Sequence, residues 1–584
     1  MLTVEQRKGL IEAALGRRPL DLVIRDVRAV NVHTGVIESG DVGILFGRVV
    51  TTTAEGLQAR ATFDGRGQYA LPGFIDTHVH LDSTLLTPEN LARLIVPRGT
   101  TAMLADPMES ANVGGLAGVQ ALLGGAADLP YHLLVEVSSR VPTAPGLETT
   151  GGTLDLAAVQ DMLGWPAAVS LGELDPSKVL GLQDEYLAKV AAAQALGKIA
   201  NGHAAGLAGR ELEAYACGGL ADDHEGVDYA DALARLRLGL SVLVREGSTE
   251  RNLDSILRGV LAGGLDTRHL MFCTDDKHPD DIVAEGHIDY MVNRAISLGV
   301  PAIQAIQMAT LNAAEHFRIE HLIGSLAPGR WADVILAPSL ERIVPAEVFC
   351  QGRLAARDGR IVAPTPAATY PEWFSHTVKI TRGRQAADFN LPAAGPAAEV
   401  RVIELYPDQI INRSGRGRLE VVDGNLRADP SQDILKLAAV ERYGQNGNIG
   451  LAFVRGFGLQ RGALASSVAH DHHNVVIVGV DEADMAACVV AIEEMQGGLA
   501  VADGGQVLAR LPLPLGGLMS PQPPEQVIAD LRQLSAVAHD LGCVLPAPFM
   551  TLSFISLPTV PELGLTDKGL VDVRRHTLID TLLP

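Results

Sequence analysis

The densest chemistry-bearing stretch of the chain is Pro72-Gly73-Phe74-Ile75-Asp76-Thr77-His78-Val79-His80. On an extended strand, residues i and i+2 point to the same side, so His78 and His80 present two imidazoles on one face. Paired imidazoles beside a loop suit a divalent cation. Further ligand-type side chains recur downstream, each where an apolar run gives way to polar text: Glu173, His203, His224 and Asp275. Several imidazoles and carboxylates converging on one place carry a large desolvation cost unless a cation offsets it. A bound cation also lowers the pKa of water from about 15.7 toward about 7, which supplies hydroxide at neutral pH. The chemistry in view is therefore hydrolysis by metal-activated water.

Residues so far apart in sequence need elements that bring them together. Between Leu71 and about Phe317, short apolar runs alternate with longer helical stretches. The runs are Phe74-Ile75-Asp76, Ala102-Met103-Leu104, Leu133-Leu134-Val135, Ala168-Val169-Ser170-Leu171, Lys198-Ile199-Ala200, Gly219-Leu220-Ala221, Val242-Leu243-Val244 and Leu270-Met271-Phe272. That rhythm predicts a (β/α)8 barrel, whose active site lies at the C-terminal ends of its strands; a doubly wound open sheet is the structural alternative. Asp21 to Val50 and Gly324 to Ile361 read instead as short β-strands separated by turns, and are expected to pair in one β-sandwich beside the barrel. The expected organisation is a composite sandwich of residues 1–70 with 320–375, a catalytic barrel over 71–319 and a C-terminal α+β domain over 376–584. In the last of these, Val527, Leu531, Leu534, Ala538 and Leu541 share one face of a helix over Pro524 to Leu541.

Composition narrows the function classes. Of 584 residues, 47% are hydrophobic and 20% charged, as in a globular protein with a large core. Forty-seven basic against 69 acidic residues leave a formal net charge of −22, which opposes binding to nucleic acid or to anionic lipid. No apolar run is long enough to span a bilayer, and the N-terminus lacks the apolar core of a secretory signal. The five cysteines are scattered without CxxC spacing, which argues against a disulfide framework and a thiolate zinc site and for reduced thiols in the cytoplasm. Cys217 and Cys273 are expected as small buried thiols. The lone pairs Gly114-Gly115 and Gly151-Gly152 form no phosphate-binding fingerprint.

Beyond these physical signals, the sequence resembles a known family. His78 and His80, the later histidines His203 and His224 and the late Asp275 match the amidohydrolase superfamily, as does Gly324-Ser325-Leu326-Ala327-Pro328-Gly329-Arg330-Trp331-Ala332-Asp333. More narrowly, Asp106-Pro107-Met108-Glu109, Val141-Pro142-Thr143-Ala144-Pro145-Gly146, Asp223-His224-Glu225, Arg245-Glu246-Gly247-Ser248, Cys273-Thr274-Asp275-Asp276 and Ser467-Val468-Ala469-His470-Asp471 resemble motifs of the adenine deaminase family. The resemblance implies two divalent metal ions, manganese or ferrous iron with zinc as the alternative, held by His78, His80, Glu173, His203, His224 and Asp275, with Glu173 bridging. It implies that Asp275 moves the proton from hydroxide to the leaving nitrogen and that Glu109 or His224 polarises a small heterocyclic substrate. It also implies a homo-oligomer. Deamination of adenine or a related purine-like ring is the leading reading; a cyclic amide or amidine hydrolase and an inactive metal-binding scaffold are the alternatives.

The chain departs from the family pattern beside the expected substrate, a region that comprises Asp82, Ser83, Asp106, Met108 and Asp175. Asp82 replaces a Glu, Met108 replaces a His, and Asp175-Pro176 follows Leu174 where the family has Met-Asn. These changes either alter what the pocket recognises or are drift around a pocket that still handles adenine. His470, Asp471, His472 and His473 read as a solvated polar loop; a further metal site, a lid on the barrel mouth and a subunit contact are other readings. Asp276, His278, Asp280 and Asp281 read as loop and helix-capping groups.

Overall fold

In the computed structural model, which describes residues 2–53, 56–124, 126, 128–365, 368–406, 411–559 and 562–584, eight short parallel strands carry the candidate site. They are β1 (Phe74–Val79), β2 (Thr100–Ala105), β3 (His132–Val137), β4 (Ala168–Leu174), β5 (Ile199–Gly202), β6 (Asp222–Asp223), β7 (Ser241–Arg245) and β8 (Leu270–Cys273). β1 to β5 pair in one arc and β6 to β8 in a second. Backbone hydrogen bonds join the arcs at both seams. Ala221 N donates to Ala200 O (2.9 Å) on one side; Asp275 N donates to His78 O (3.0 Å) and His80 N to Asp275 O (3.2 Å) on the other. The sheet thus closes into a barrel, and the open doubly wound alternative is excluded. Strands covered on both faces read as unbroken apolar runs, as Leu270-Met271-Phe272-Cys273 does, every residue of it buried.

One strand is displaced from its expected place. The run Gly219-Leu220-Ala221 was expected to form the strand; of it Ala221 hydrogen-bonds to both neighbouring strands, and the strand itself is Asp222–Asp223. The preceding helix ends at Cys217, Gly218 caps it, and Gly219 takes φ +91°, a turn that uses up the residues before the strand. The same helix end leaves Cys217 exposed, contrary to expectation, while Cys273 is buried in β8.

Strands from before and after the barrel share one eight-stranded sheet. Its centre is Ala59–Pro72, parallel to Leu20–Asn31 on one side and antiparallel to Val334–Ala337 on the other, in the register Pro72 to Val334 and Leu71 to Ile335. A helix over Val4–Ala14, unforeseen from the sequence, precedes it; Thr3 and Gln6 close a capping box at its start.

A nine-stranded sheet between Ala397 and Pro512 forms the centre of the C-terminal part. The helix Pro524–Asp540 buries Val527, Leu531, Leu534 and Ala538 as its periodicity predicts. Those residues belong to the same apolar cluster as Leu81, Leu85, Leu91 and Ile95 at the barrel mouth. Polar ties reinforce the contact: Ser520 N donates to Leu85 O (2.9 Å), and Thr149 donates through N (2.8 Å) and Oγ1 (2.7 Å) to the Asp567 carboxylate. No helix among the described residues is long and apolar enough to cross a membrane.

Candidate active site

His78 is the penultimate residue of β1 and His80 follows the strand, their ring centroids 4.9 Å apart and nearly perpendicular. Glu173 near the end of β4 stands at the centre of the group. Its Oε2 lies 2.9 Å from His203 Nδ1, 3.1 Å from His224 Nε2 and 3.7 Å from His78 Nε2, and its Oε1 lies 3.9 Å from His80 Nε2. Asp275, just past β8, places Oδ1 3.7 Å from His78 Nε2 and 3.6 Å from His80 Nε2. Three overlapping sets, His78/His80/Asp275, His78/Glu173/His224 and His203/His224/Glu225, each keep their donor atoms within 4.8 Å of one another. All six residues named from the sequence are brought together at the barrel mouth, and all are buried.

The donors fit divalent cations on their own chemistry. His78 Nε2 and His203 Nε2 are buried with no hydrogen-bond partner, a state that proteins avoid unless something else satisfies the atom. Imidazole nitrogens and carboxylate oxygens are the ligands that Mn²⁺, Fe²⁺ and Zn²⁺ share.

Two arginines hold the carboxylates in their ionised form. Burial pushes Asp275 up, but Arg245, with Nη1 at 2.8 Å, and the neighbouring imidazoles hold it at about 2. Burial likewise opposes ionisation of Glu173, and Arg140, hydrogen-bonded to its Oε1, leads the groups that hold it well below the usual carboxylate range. His78 is pushed down to about 4 by burial and by the rings of His224 and His80, so the imidazole is neutral, as a ligand must be.

Carboxylates stand behind the first two histidines. Glu136 Oε2 lies 2.5 Å from His78 Nδ1, and Asn201 donates to its other oxygen. Glu109 Oε1 lies 2.8 Å from His80 Nδ1. Expected to act on the substrate ring, Glu109 is instead turned to the rear of a candidate ligand and is absent from the lining of the cavity at the mouth. His224, the other residue expected to do so, lines that cavity.

The C-terminal part closes the mouth. His470, Asp471, Phe554 and Leu557 line the cavity together with His80, Glu173, His203 and His224. Arg140 Nη1 reaches Asp471 Oδ2 (3.3 Å), and the His470 ring stacks on Phe554 at 5.3 Å. His470, Asp471, His472 and His473 are all buried, so the solvated loop expected from their polarity is not what forms; docking of the C-terminal part against the barrel covers them. Asp276, expected as a loop or capping group, accepts a hydrogen bond from Ser83 and lines the cavity, because the chain after β8 turns inward. The cavity encloses about 30 Å³, room for about one water molecule.

The residues expected beside the substrate, among them the three departures from the family pattern, lie around this cavity, not on it. Met108 packs in an apolar cluster with Val137 and Val141. Asp175 caps the helix Pro176–Leu180 through Ser177 N (3.0 Å), with Lys178 at 3.5 Å and Arg140 at 3.9 Å. Asp82 is buried beside Glu109, His470 and His473. Asp106 accepts from Ser138 Oγ (2.5 Å).

Glu136 and Arg140 were not singled out in the sequence, and Glu225 and Arg245 stood there only within family motifs; of the C-terminal lining, His470 and Asp471 were named, with a lid on the barrel mouth among their readings, while Phe554 and Leu557 were not. Glu136 had a signal, a lone acid inside the apolar run of β3, and Arg245 ends β7 as the ligand-type residues end theirs. Arg140 had none, because only the tertiary fold brings it to Glu173 and Asp471.

Residues 69–355 match the amidohydrolase family model, and residues 409–577 match the adenine deaminase C-terminal domain. The chain is 52% identical over 574 residues to the adenine deaminase of Desulforamulus reducens, with 98% of each chain covered. It is 42% identical over 572 residues to that of Desulfatibacillum aliphaticivorans, again with 98% of each covered. Among solved structures, a zinc-bound adenosine deaminase from Xanthomonas campestris aligns with a TM-score of 0.45 at 15% identity, over 59% of this chain and 95% of the other.

Proposed function

This chain belongs to the adenine deaminase family of amidohydrolases, and from that premise we propose that it hydrolyses adenine. Water adds at the ring carbon bearing the exocyclic amine, the C–N bond breaks, and ammonia leaves a 6-oxopurine. The observation that carries the reading is the convergence of His78, His80, Glu173, His203, His224 and Asp275 at the barrel mouth, with orphaned imidazole nitrogens aimed inward.

These six residues would hold two divalent cations, with manganese or ferrous iron as the preferred metals. Such cations supply the Lewis acidity that makes water a nucleophile near neutral pH. Asp275 Oδ1 accepts the proton of the attacking water and returns it to the leaving nitrogen, while Arg245 fixes its other oxygen. His224 polarises the ring from the cavity wall. Glu136, hydrogen-bonded to His78 Nδ1, is a positioning residue that fixes the tautomer and direction of His78, and Glu109 places a carboxylate beside His80 Nδ1. Asp82, Met108 and Asp175 are absent from the cavity lining, so these departures do not by themselves argue against adenine; a small-molecule purine is the substrate and a homo-oligomer the state that fit.

The test is turnover by manganese-loaded protein. Adenine should release ammonia stoichiometrically, and Asp275→Asn should lower kcat by about 10²- to 10⁴-fold. Full activity in Asp275→Asn, or ring opening of cyclic amides with no ammonia from adenine, contradicts the proposal.

A further inference from the structure

At the opposite end of the barrel from the mouth, three metal-ligand side chains meet where the barrel touches the β-sheet. His132 is the first residue of β3; Asp333 precedes the strand Val334–Ala337; Cys350 ends the strand Glu347–Cys350. His132 Nε2 lies 2.9 Å from Asp333 Oδ2 and 3.7 Å from Cys350 Sγ, and the three ligand atoms lie within 4.8 Å of one another. We propose that His132, Asp333 and Cys350 form a separate site for a borderline-soft divalent cation of the zinc class, with one thiolate, one imidazole and one carboxylate oxygen as ligands.

The geometry is close to what such an ion needs. Tetrahedral zinc bonded at about 2.3 Å to sulfur and about 2.0–2.1 Å to nitrogen and oxygen separates N from S by about 3.6 Å and N from O by about 3.4 Å. The N-to-S distance already fits, and the N-to-O distance must open by about half an ångström. Two of the ligands are held from behind. Asp333 Oδ1 accepts from Gln351 N (2.8 Å), which leaves Oδ2 for the ion, and the His132 ring stacks on Trp331 at 3.9 Å. Asp333 and Cys350 are buried, and His132 is nearly so. His132 and Cys350 also line a groove of about 860 Å³, which gives water access to a fourth coordination position. Binding displaces the thiol proton to solvent, so affinity rises with pH. The lack of CxxC spacing argued against a thiolate site, but here each ligand comes from a different segment, and spacing carries no signal.

Cobalt(II) separates this site from the barrel mouth, because only a thiolate ligand gives a sulfur-to-cobalt charge-transfer band and the mouth offers nitrogen and oxygen alone. Intact manganese-loaded protein titrated with Co²⁺ should develop that band to one equivalent. Cys350→Ser should abolish it, and Asp333→Asn should weaken Co²⁺ binding at least tenfold, with adenine turnover and far-ultraviolet circular dichroism unchanged in both. Zinc retained after equilibrium dialysis should fall by one equivalent in Cys350→Ser. No charge-transfer band in folded wild type, or a band that survives Cys350→Ser, overturns the proposal whatever the substrate of the barrel site.

Discussion

Glu136 shows how much a single residue behind a ligand is asked to do. Its carboxylate holds His78 Nδ1, so that Nε2 of the same ring is presented to the barrel axis, and it is itself held by Asn201. Removing such a partner leaves the ligand in place but frees its rotamer and tautomer, which costs about 10- to 100-fold in metal affinity or activity. Glu136→Ala should therefore lose activity by that factor at limiting manganese and regain most of it at excess manganese. Activity equal to wild type at limiting metal would show that His78 needs no such support.

At the level of elements, the barrel was readable because parallel strands buried on both faces leave continuous apolar runs, and because each candidate ligand follows such a run at its C-terminal end. The rule that located Glu173, His203, His224 and Asp275 is a rule about strand ends. It held for β6, whose end places His224 although the strand starts later than the run Gly219-Leu220-Ala221 suggested, and it was silent about Arg140, which lies in the loop after β3. That loop also carries Thr149, tied to Asp567, and Glu148. Glu148 Oε1 accepts from Ala144 N (2.7 Å), its Oε2 is buried without a hydrogen-bond partner, and burial pushes the carboxyl up to about 7 from an ordinary 4.5. The folded protein thus holds this proton more tightly than the unfolded chain. The stability it contributes is complete below about pH 4.5 and is lost as pH rises through about 7. Glu148→Gln cannot ionise, so it should match wild type near pH 4.5 and exceed it at pH 8 by up to about 3 kcal/mol, read as a higher apparent Tm. An equal Tm difference at the two pH values would mean that the carboxyl titrates normally.

On the scale of the whole molecule, the mouth of the barrel is a shared construction. The barrel supplies the candidate ligands, and the C-terminal part supplies His470, Asp471, Phe554 and Leu557 over them, anchored by an apolar cluster that runs without interruption from the strand ends to the helix Pro524–Asp540. The polarity of His470-Asp471-His472-His473 suggested a solvated loop because sequence shows a segment's composition and not what packs upon it. The cavity left between the two parts is lined from both, so the C-terminal part shapes the space that receives the substrate. Every one of these roles depends on cations held by residues spread from His78 to Asp275. The most direct measurement is the manganese content of reconstituted wild type beside that of Glu173→Ala, with circular dichroism to establish that both are folded. Two bound equivalents per chain in wild type, loss of at least one in the variant and a fall in adenine turnover of about 10³-fold or more are the predicted result. A folded Glu173→Ala that keeps full metal and full activity would contradict it.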